Sequence, residues 1–281
     1  MATHTLIIGE RINPTGRPRL AEQLAKGDLE TALADALAQK EAGADVIDVN
    51  VGVPGVDEVP LLKQAALEVA DATGLPVCID SSDPAALAAV LSKLPEGTFV
   101  NSVTGDEEAL EVLLPPVAST GAMLIGMAKD MSGIPETAEG RIEVARRIVE
   151  AAGGHGIPPE RILIDFLTLP VATDPGSAVL ALECIRRAGP ELGTGTVLGA
   201  SNISFGMPTR NILNSAFLAT AVEAGLTAAI LNPMEEGVVQ AVLAADVMAA
   251  RDPRGRRFLK DYRARRAAPR LTGTPPPPDE N

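Results

Sequence analysis

The chain contains no tryptophan, and its aromatic residues are only five phenylalanines and one tyrosine. Proteins stack nucleic-acid bases on aromatic side chains, so this scarcity disfavours nucleic acid as a ligand. Basic residues are also in the minority: 24 Lys and Arg stand against 37 Asp and Glu, a formal charge of −13. An acidic surface repels a phosphate backbone, and we therefore expect no nucleic-acid partner.

Cysteines and long apolar runs are scarce as well. The two cysteines, Cys78 and Cys184, lie far apart inside patterned segments, and we expect them to be reduced core residues. No apolar run approaches the ~20 residues that cross a membrane. The first residues have no basic segment leading into an apolar stretch, so we expect no signal peptide. The sequence favours a soluble cytoplasmic enzyme that acts on a small molecule and has no membrane partner.

Short segments rich in β-branched residues alternate along the chain with longer segments of helical period. This alternation is typical of an α/β protein with a parallel sheet covered by helices. Hydrophobic residues make up 46% of the chain, which is enough for a sizeable core. The eight predicted strands are Thr5–Gly9, Asp45–Asn50, Pro76–Asp80, Phe99–Ser102, Met123–Met127, Ile162–Asp165, Thr196–Ala200 and Ala228–Asn232.

Eight strand–helix units in a chain of this length predict a single (β/α)8 TIM barrel. A doubly wound open sheet is the alternative, because periodicity alone does not establish closure. Helices are expected to begin at Asp83-Pro84 and Asp174-Pro175 and after Thr137. We place the barrel domain at residues 1–266 and expect the Pro-rich C-terminal segment 267–281 to be a disordered tail.

Polar residues stand at the ends of seven of the eight predicted strands. In barrels of this class the active site lies at the carboxyl ends of the strands. Turn and helix-cap preferences explain any one such residue, but they explain a nearly complete ring less well. The residues are Glu10 after strand one, Asp48 and Asn50 in strand two, Asp80 in strand three, Asn101 in strand four, Asp165 in strand six, Ser201 and Asn202 after strand seven, and Asn232 in strand eight.

This ring is rich in Asp and Asn and contains no His or Cys. Zinc needs such ligands at close quarters, and we expect one of the two histidines, His155, at the opposite face of the barrel. Carboxylates can hold Mg²⁺, but no phosphate-binding glycine loop accompanies them, and GASNISFG lacks the spacing of a dinucleotide-binding motif. Carboxylates and amides suit a flat heterocycle with alternating donors and acceptors. A pterin has that pattern.

The same strand ends resemble the pterin-binding methyltransferases. The likeness covers nearly the whole chain up to about Arg266, and SNISFGMP followed by Arg210 and a Leu-Asn pair is its most specific part. The segments are GERIN at 9–13, DVNVG at 48–52, CIDSS at 78–82, NS at 101–102, ILIDFLTLP at 162–170, GASNISFGMPTRNILNSAFL at 199–218 and AAILNP at 228–233.

Within that family the chain is similar to the methyltetrahydrofolate:corrinoid (iron–sulfur) protein methyltransferases and to the folate domain of cobalamin-dependent methionine synthase. The resemblance implies a homodimeric barrel that binds methyltetrahydrofolate or tetrahydrofolate and holds no metal. It implies that Asp80, Asn101 and Asp165 anchor the pterin, and that Asn202 lies beside N5, the nitrogen that carries the methyl group. The other substrate-binding positions that it implies are Glu10, Asp48, Asn50, Ser201 and Arg210.

The implied reaction moves the N5-methyl group between methyltetrahydrofolate and the cobalt of a corrinoid (cobalamin) by SN2 displacement. Asn202 would act as the catalytic residue by a hydrogen bond that strengthens at N5 in the transition state. The chain has neither a DxHxxG corrinoid-binding sequence nor the cysteines of an iron–sulfur cluster. The corrinoid is therefore expected on a partner protein.

Three alternatives stay open. A dihydropteroate synthase-like enzyme shares the barrel, but that family has NxTxDSF after strand one and Ser-x-Arg after strand eight, where this chain has Asn13-Pro14-Thr15-Gly16-Arg17 and Asn232-Pro233-Met234. A phosphosugar aldolase or isomerase would need a catalytic Lys or Glu at a strand end and a glycine-rich phosphate loop near strands seven and eight. A non-catalytic folate-binding or scaffold subunit differs from an enzyme only in turnover.

Overall fold

Eight parallel strands pair in chain order, and the last pairs with the first, so the sheet closes into a barrel. The computed structural model describes residues 4–235 and 237–267. Closure confirms the predicted (β/α)8 fold and rules out the open sheet. The strands are β1 (Leu6–Ile12), β2 (Val46–Asn50), β3 (Val77–Asp80), β4 (Phe99–Val103), β5 (Met123–Met127), β6 (Ile162–Asp165), β7 (Gly195–Gly199) and β8 (Ala228–Leu231).

Helices connect the strands and cover the outside of the barrel. Their bounds are α1 (Pro18–Ala25), α2 (Glu30–Glu41), α3 (Glu58–Thr73), α4 (Pro84–Leu91), α5 (Glu107–Thr120), α6 (Ala138–Gly154), α7 (Ser177–Leu192), α8 (Arg210–Ala224), α9 (Val238–Met248) and α10 (Arg256–Ala267). The predicted tail lies outside the described residues, apart from Ala267 at the end of α10. None of the helices in the described part of the chain has both the length and the apolarity to cross a bilayer.

Two of the three predicted helix starts are confirmed. Pro84 opens α4 while the Asp83 carboxylate accepts the Ala85 N–H, and Thr137 caps α6 by accepting the Gly140 N–H. The prediction at Asp174-Pro175 is wrong, because α7 begins only at Ser177. The Asp174 side chain accepts the Gly176 N–H at 3.0 Å, so this Asp-Pro pair makes a turn before the helix.

The first strand is longer than its sequence predicts. It continues past Gly9 through two charged residues to Ile12, and its register against β2 shifts between Gly9 and Ile12. Three steps on β1 match two on β2, which is a β-bulge. The sequence predicts that Glu10 and Arg11 follow this strand, whereas they lie within its bulge. The β7 and β8 predictions were one residue too long at their ends, so Asn232 lies just beyond β8.

Alternate residues of the strands point into the barrel and form an apolar floor. This layer comprises Ile8, Val46, Cys78, Phe99, Ile125, Leu163, Val197, Ala228 and Ile230. Side chains two positions apart on a strand share a face, so the next layer towards the carboxyl ends includes Asp48, Asp80, Asn101 and Asp165. The two-residue period of the strands therefore places these polar side chains directly above the apolar layer.

The remaining strand residues pack against the helices in the main hydrophobic clusters. Cys78 and Cys184 are free and buried, as predicted. His155 follows α6 and precedes β6, so it lies at the amino-terminal face of the barrel, also as predicted. The last helix, α10, contains six arginines and lysines, and its Arg257 pairs with Asp45 beside the start of β2.

Candidate functional site

Two adjoining cavities open at the carboxyl ends of the strands, and both are lined by Thr15 and Asp80. One has a volume of about 690 Å³ and lies towards β2 to β5, with Asn50, Met127 and Lys129 in its wall. The other has a volume of about 510 Å³ and lies towards β1 and β7. Because they share two residues, we describe them as the β3 side and the β1 side of one depression.

The floor of the β1 side is built from neighbouring strands in register. Asp80 pairs with Asn101 across β3 and β4, and Asp48 pairs with Cys78 across β2 and β3. The Asp48 side chain is almost fully buried, with the residue 3% exposed. Asn101 Nδ2 donates to Asp48 Oδ1 at 3.3 Å, and the Cys78 thiol is a second hydrogen-bond partner of that carboxylate.

Burial dominates the electrostatics of this floor. It raises the pKa of Asp48 well above its ordinary value, and the nearby charge of Asp80 raises it further. It also raises the pKa of Asp80, against the opposing effect of the hydrogen bond from Asn50. Ionised carboxylates are costly in this setting unless donors surround them. The floor is thus suited to a neutral ligand edge that carries several N–H donors.

Glu10 stands at the wall of the β1 side within the bulge of β1. Burial raises the pKa of Glu10, and the hydrogen bond from Ser201 opposes that shift. Ser201 Oγ donates to Glu10 Oε1 at 2.8 Å. Arg210 Nη2 in turn donates to the Ser201 carbonyl at 2.7 Å, and its Nε donates to Ser204 Oγ at 3.0 Å. Ser201 and Arg210 therefore support the wall from behind and line neither side of the depression.

The bulge itself depends on a residue of α2 that the sequence analysis did not single out. The buried Gln39 side chain accepts the Arg11 N–H at 2.9 Å through Oε1. A Cβ on Gly9 would lie 2.5 Å from that same oxygen, so only glycine leaves room for it. Gln39 thereby satisfies a backbone donor that the register shift removes from the sheet ladder. It also fixes the direction in which Glu10 enters the depression.

Asn202 lies on the 3₁₀ turn Ala200–Ser204 that follows β7. Its side chain is exposed on the β1 side, and among the described residues it has no hydrogen-bond partner of its own. A Cβ on Gly199 would lie 3.1 Å from Asn202 Nδ2, so the glycine allows the amide to lie close over the end of β7. This amide is free to donate to a ligand above Asp48 and Asn101.

Asp165 ends β6, where it pairs with Met127 of β5. Its Oδ1 accepts the Leu167 N–H at 2.7 Å, and burial raises its pKa to about 6. It lines neither side of the depression. Its Oδ2 accepts no hydrogen bond from the described part of the chain.

The loop after Asp165 is held by Arg141, which the sequence analysis also missed. Arg141 is 1% exposed and donates to the carbonyls of Phe166 at 2.5 Å, Leu167 at 2.7 Å and Pro135 at 2.9 Å. Leu167 has φ 60°, a conformation that is uncommon outside glycine. A signal was present in the sequence: the arginine falls on the buried stripe of α6, in register with Ala138, Ala145 and Ile148.

The structure brings together most of the predicted site residues. Asn50 lines the β3 side, and its Nδ2 donates to Asp80 Oδ2 at 3.0 Å. Asp165, Ser201 and Arg210 stand around the depression rather than in it. In the described residues, no group of three or more His, Cys, Asp and Glu side chains has the arrangement of a metal site. The predicted residues that line the β1 side are Glu10, Asp48, Asp80, Asn101 and Asn202.

Comparison with known proteins gives consistent matches. A family model described as "Pterin binding enzyme" matches residues 9–232. The methylcorrinoid:tetrahydrofolate methyltransferase of Eubacterium limosum is 33% identical over 270 residues, which is 94% of this chain and 98% of that protein. The methionine synthase of Mycobacterium tuberculosis is 34% identical over 242 residues, or 81% of this chain. The matched region is 20% of that longer protein.

Solved structures match the barrel at lower identity. The dihydropteroate synthase of Yersinia pestis with a pterine-sulfa conjugate has a TM-score of 0.68 and 16% identity, over 88% of this chain and 94% of that one. The dihydropteroate synthase of Xanthomonas albilineans with 7,8-dihydropteroate has a TM-score of 0.63 and 20% identity, over 89% and 95%. At such identities the likeness concerns the fold alone.

Proposed function

This chain belongs to the family of pterin-binding enzymes, and on that premise we propose that it is a methyltransferase that moves the N5-methyl group between methyltetrahydrofolate and the cobalt of a corrinoid. The observation that carries the proposal is the β1 side of the depression. Its floor consists of hydrogen-bond acceptors on Asp48, Asp80 and Asn101, and the amide of Asn202, which makes no hydrogen bond to a described residue, lines the same side. The near full-length likeness to a methylcorrinoid:tetrahydrofolate methyltransferase supports this reaction over others on the same fold.

The pterin is held by its hydrogen-bonding edge. Asp80 and Asn101 meet the amino-pyrimidine at the floor. Asp165, at the end of β6 beside the depression, offers a further acceptor through its Oδ2. A carboxylate accepts two N–H bonds from such an edge, whereas an amide both donates and accepts. The ligand's donors offset the burial of these carboxylates. An analogue without those donors would leave buried acceptors unpaired, and this gives selectivity.

The chemical step is an SN2 displacement at the methyl carbon. A cobalt–carbon bond forms with the electron pair of Co(I), the carbon–N5 bond breaks, and its electron pair passes to N5 together with a proton. Amine nitrogen is a poor leaving group without that proton. The Asn202 amide hydrogen-bonds at N5 and strengthens its contact as the bond breaks, so it stabilises the transition state more than bound substrate.

The proton for N5 comes from the surrounding network, because neither cavity is lined by a histidine of the described chain. Glu10 and Asp48 line the β1 side together with Asn202, and burial raises the pKa values of both carboxyls. Raised values keep a larger share of each carboxyl protonated near neutral pH. We assign the proton relay to these two carboxyls and to water within the depression.

The corrinoid belongs to a partner protein that docks over the mouth of the barrel. Exposed apolar side chains of three loops surround this mouth: Met131 after β5, Phe205 after β7 and Met234 after β8. Arg210 lies 5.7 Å from the centre of the Phe205 ring, which supports that ring at the rim.

We further propose a cytoplasmic homodimer, supported by the exposed Val179 and Ile212 on the adjacent helices α7 and α8. Sedimentation at micromolar concentration tests the dimer.

We place the catalytic domain at residues 1–266 and assign no role in transfer to residues 267–281. The described contacts of α10 through Arg257 reach Thr5 and Asp45, on the face opposite the depression. A chain ending at Arg266 is expected to retain both folate binding and methyl transfer. Loss of either in a folded truncated protein would contradict this assignment.

An anaerobic assay tests the reaction. Purified protein, methyltetrahydrofolate and reduced free cobalamin are mixed, and the absorbance follows conversion of cob(I)alamin to methylcobalamin. The same sample is assayed for condensation of a pterin pyrophosphate with p-aminobenzoate, the dihydropteroate synthase reaction. Methylcobalamin without condensation supports the proposal. Condensation without methyl transfer would overturn it in favour of the synthase, and folate binding with neither activity would favour a non-catalytic subunit.

A further inference from the structure

Three arginines lie between the end of β1 and the first turn of α1: Arg11 in β1, Arg17 in the connecting loop and Arg19 in α1. We propose that this arginine track binds the carboxylates of the folate's glutamate tail and makes the protein select folates with several γ-linked glutamates. The inference rests on the proposed function, because a folate in the depression is what brings carboxylates to this edge.

The track runs outward from the β1 side of the depression. Arg11 and Arg17 line that side together with Asp48 and Asn202. Arg17 and Arg19 then line a further surface cavity of about 370 Å³, with Leu20 and Thr31. Since Arg17 belongs to both, the two cavities adjoin. A long ligand with its heterocycle on the floor can therefore extend its far end along the arginines.

The charge of the lining residues distinguishes the β1 side of the depression from the β3 side. The β3 side of the depression is lined by five carboxylates against one cation, Lys129, and the carboxylates are Glu58, Asp80, Asp83, Asp106 and Glu108. The whole chain has a formal charge of −13, so a basic track is locally exceptional. An anionic tail is repelled from the β3 side and attracted to the β1 side.

The three guanidinium groups differ in what they already bind. Arg17 donates to Asp35 at 2.6 Å and to the Arg11 carbonyl, so it is fixed in place and partly neutralised. Arg11 and Arg19 donate no side-chain hydrogen bond to any described residue, although the charge of Arg11 lowers the pKa of Glu10. Their forked donors are thus available for carboxylates, which arginine binds in a bidentate manner.

Each added γ-glutamyl residue brings one further carboxylate to the ligand. A single partly exposed ion pair is worth at most about fivefold in affinity. Two additional pairs, formed by Arg11 and Arg19, therefore predict about a tenfold preference for the triglutamate over the monoglutamate. Salt screens such ion pairs, so the ratio of the affinities for the triglutamate and the monoglutamate should approach one at high ionic strength.

Calorimetry tests the inference on the full-length protein with methyltetrahydrofolate as its mono- and triglutamate. The wild type is expected to bind the triglutamate about tenfold more tightly at low salt. The double variant Arg11→Gln/Arg19→Gln should lower that ratio to below about twofold and still bind the monoglutamate. The control is Arg263→Gln, an exposed arginine of α10 that removes the same kind of charge far from the mouth, and it should keep the wild-type ratio.

Equal affinity of the wild type for the two ligands would overturn the inference and leave the proposed function intact. A double variant that keeps the tenfold ratio would overturn it as well, because the tail would then bind elsewhere. Failure of the wild type to bind either folate would overturn the proposed function, and the inference with it.

Discussion

Asn50 stands directly opposite Asp80 on the β2–β3 ladder, and its Nδ2 donates to Asp80 Oδ2 at 3.0 Å. The side-chain oxygen Oδ1 of Asn50 in turn accepts the Gly52 N–H at 3.0 Å, so the Nδ2 end of the amide faces Asp80. One carboxylate oxygen is thereby occupied, and the other is left for the ligand. A neighbouring strand thus orients the acceptor at the floor of the depression.

Asp80→Asn is expected to weaken folate binding. The substitution keeps the size of the side chain but replaces a charged acceptor with an amide that faces Asn50. The lost charged hydrogen bond corresponds to about 2 kcal/mol, or about thirtyfold in Kd. Calorimetry with methyltetrahydrofolate measures it, and Asp71→Asn on the exposed face of α3 is the matched control. An unchanged Kd in Asp80→Asn would remove this residue from the binding site.

Asn202→Ala should slow methyl transfer far more than it weakens folate binding. Its exposed amide makes no bond that maintains the fold, and its contact at N5 strengthens in the transition state. Loss of one such donor costs about a hundredfold in the rate constant, with Kd changed by less than about threefold. Single-turnover kinetics and calorimetry separate the two quantities. Equal losses in rate and affinity would mean that Asn202 only binds.

Folate affinity is expected to fall as the pH drops through about 6. Burial raises the pKa of Asp165 to about 6, so below that pH the carboxyl is protonated and one acceptor is lost. The loss attributable to Asp165 approaches about tenfold in Kd per pH unit. Calorimetry from pH 5 to 8 should show this dependence of Kd on pH in the wild type. In Asp165→Asn the number of protons released on folate binding should be smaller by up to one. An identical pH profile in the variant would contradict the assignment.

The same carboxyl has the opposite effect on the stability of the free protein. Because the pKa of Asp165 in the folded protein is raised above its ordinary value of 3.8, ionisation disfavours the fold, and stability falls as pH rises from about 4 to about 6. Asp165→Asn lacks this penalty, since its amide oxygen can still accept the Leu167 N–H. The ligand-free variant should unfold at a higher temperature than the wild type at pH 8 and at a similar temperature at pH 4.

Arg141→Met should both destabilise the protein and shift that pH profile. The buried guanidinium serves three backbone carbonyls, and leaving them without donors costs about 3 kcal/mol, or about 8 °C in Tm. The positive charge of Arg141 also lowers the pKa of Asp165, so its removal moves the binding midpoint above pH 6.

Thermal unfolding and calorimetry across pH measure the two effects of Arg141→Met. Arg141→Lys keeps the charge, so it should lose stability with little change of midpoint. Arg146→Met, at a half-buried position of the same helix that contacts no backbone carbonyl of the described residues, is the control for helix content. A destabilised Arg141→Met with an unmoved midpoint would mean that Arg141 supports the loop without affecting Asp165.

The alternation of strands and helices and the polar ring were predictable because both follow from local periods, whereas the closed barrel was predicted from the count of eight strand–helix units. A strand places every second side chain inward, so the inward residues above Cys78 and Phe99 could be read as Asp80 and Asn101. The bulge at Glu10 was not predictable, since it depends on Gln39 from α2 filling the space beside Gly9. The positions of Ser201 and Arg210 behind the wall depend on the 3₁₀ turn after β7, which no sequence period encodes. The helical pattern of α6 shows that Arg141 interrupts an apolar stripe. It does not show which backbone carbonyls the arginine binds, because they belong to other segments of the chain.

Transfer of an isotopically labelled methyl group tests the central claim most directly. Methyltetrahydrofolate with carbon-13 in its N5-methyl group is incubated anaerobically with cob(I)alamin and protein, and the label is followed by NMR. The account predicts a cobalt-bound methyl resonance that grows with the wild type, grows about a hundredfold more slowly with Asn202→Ala, and is absent without protein. Bound folate whose label stays on N5, with free cobalamin and with corrinoid protein alike, would contradict it.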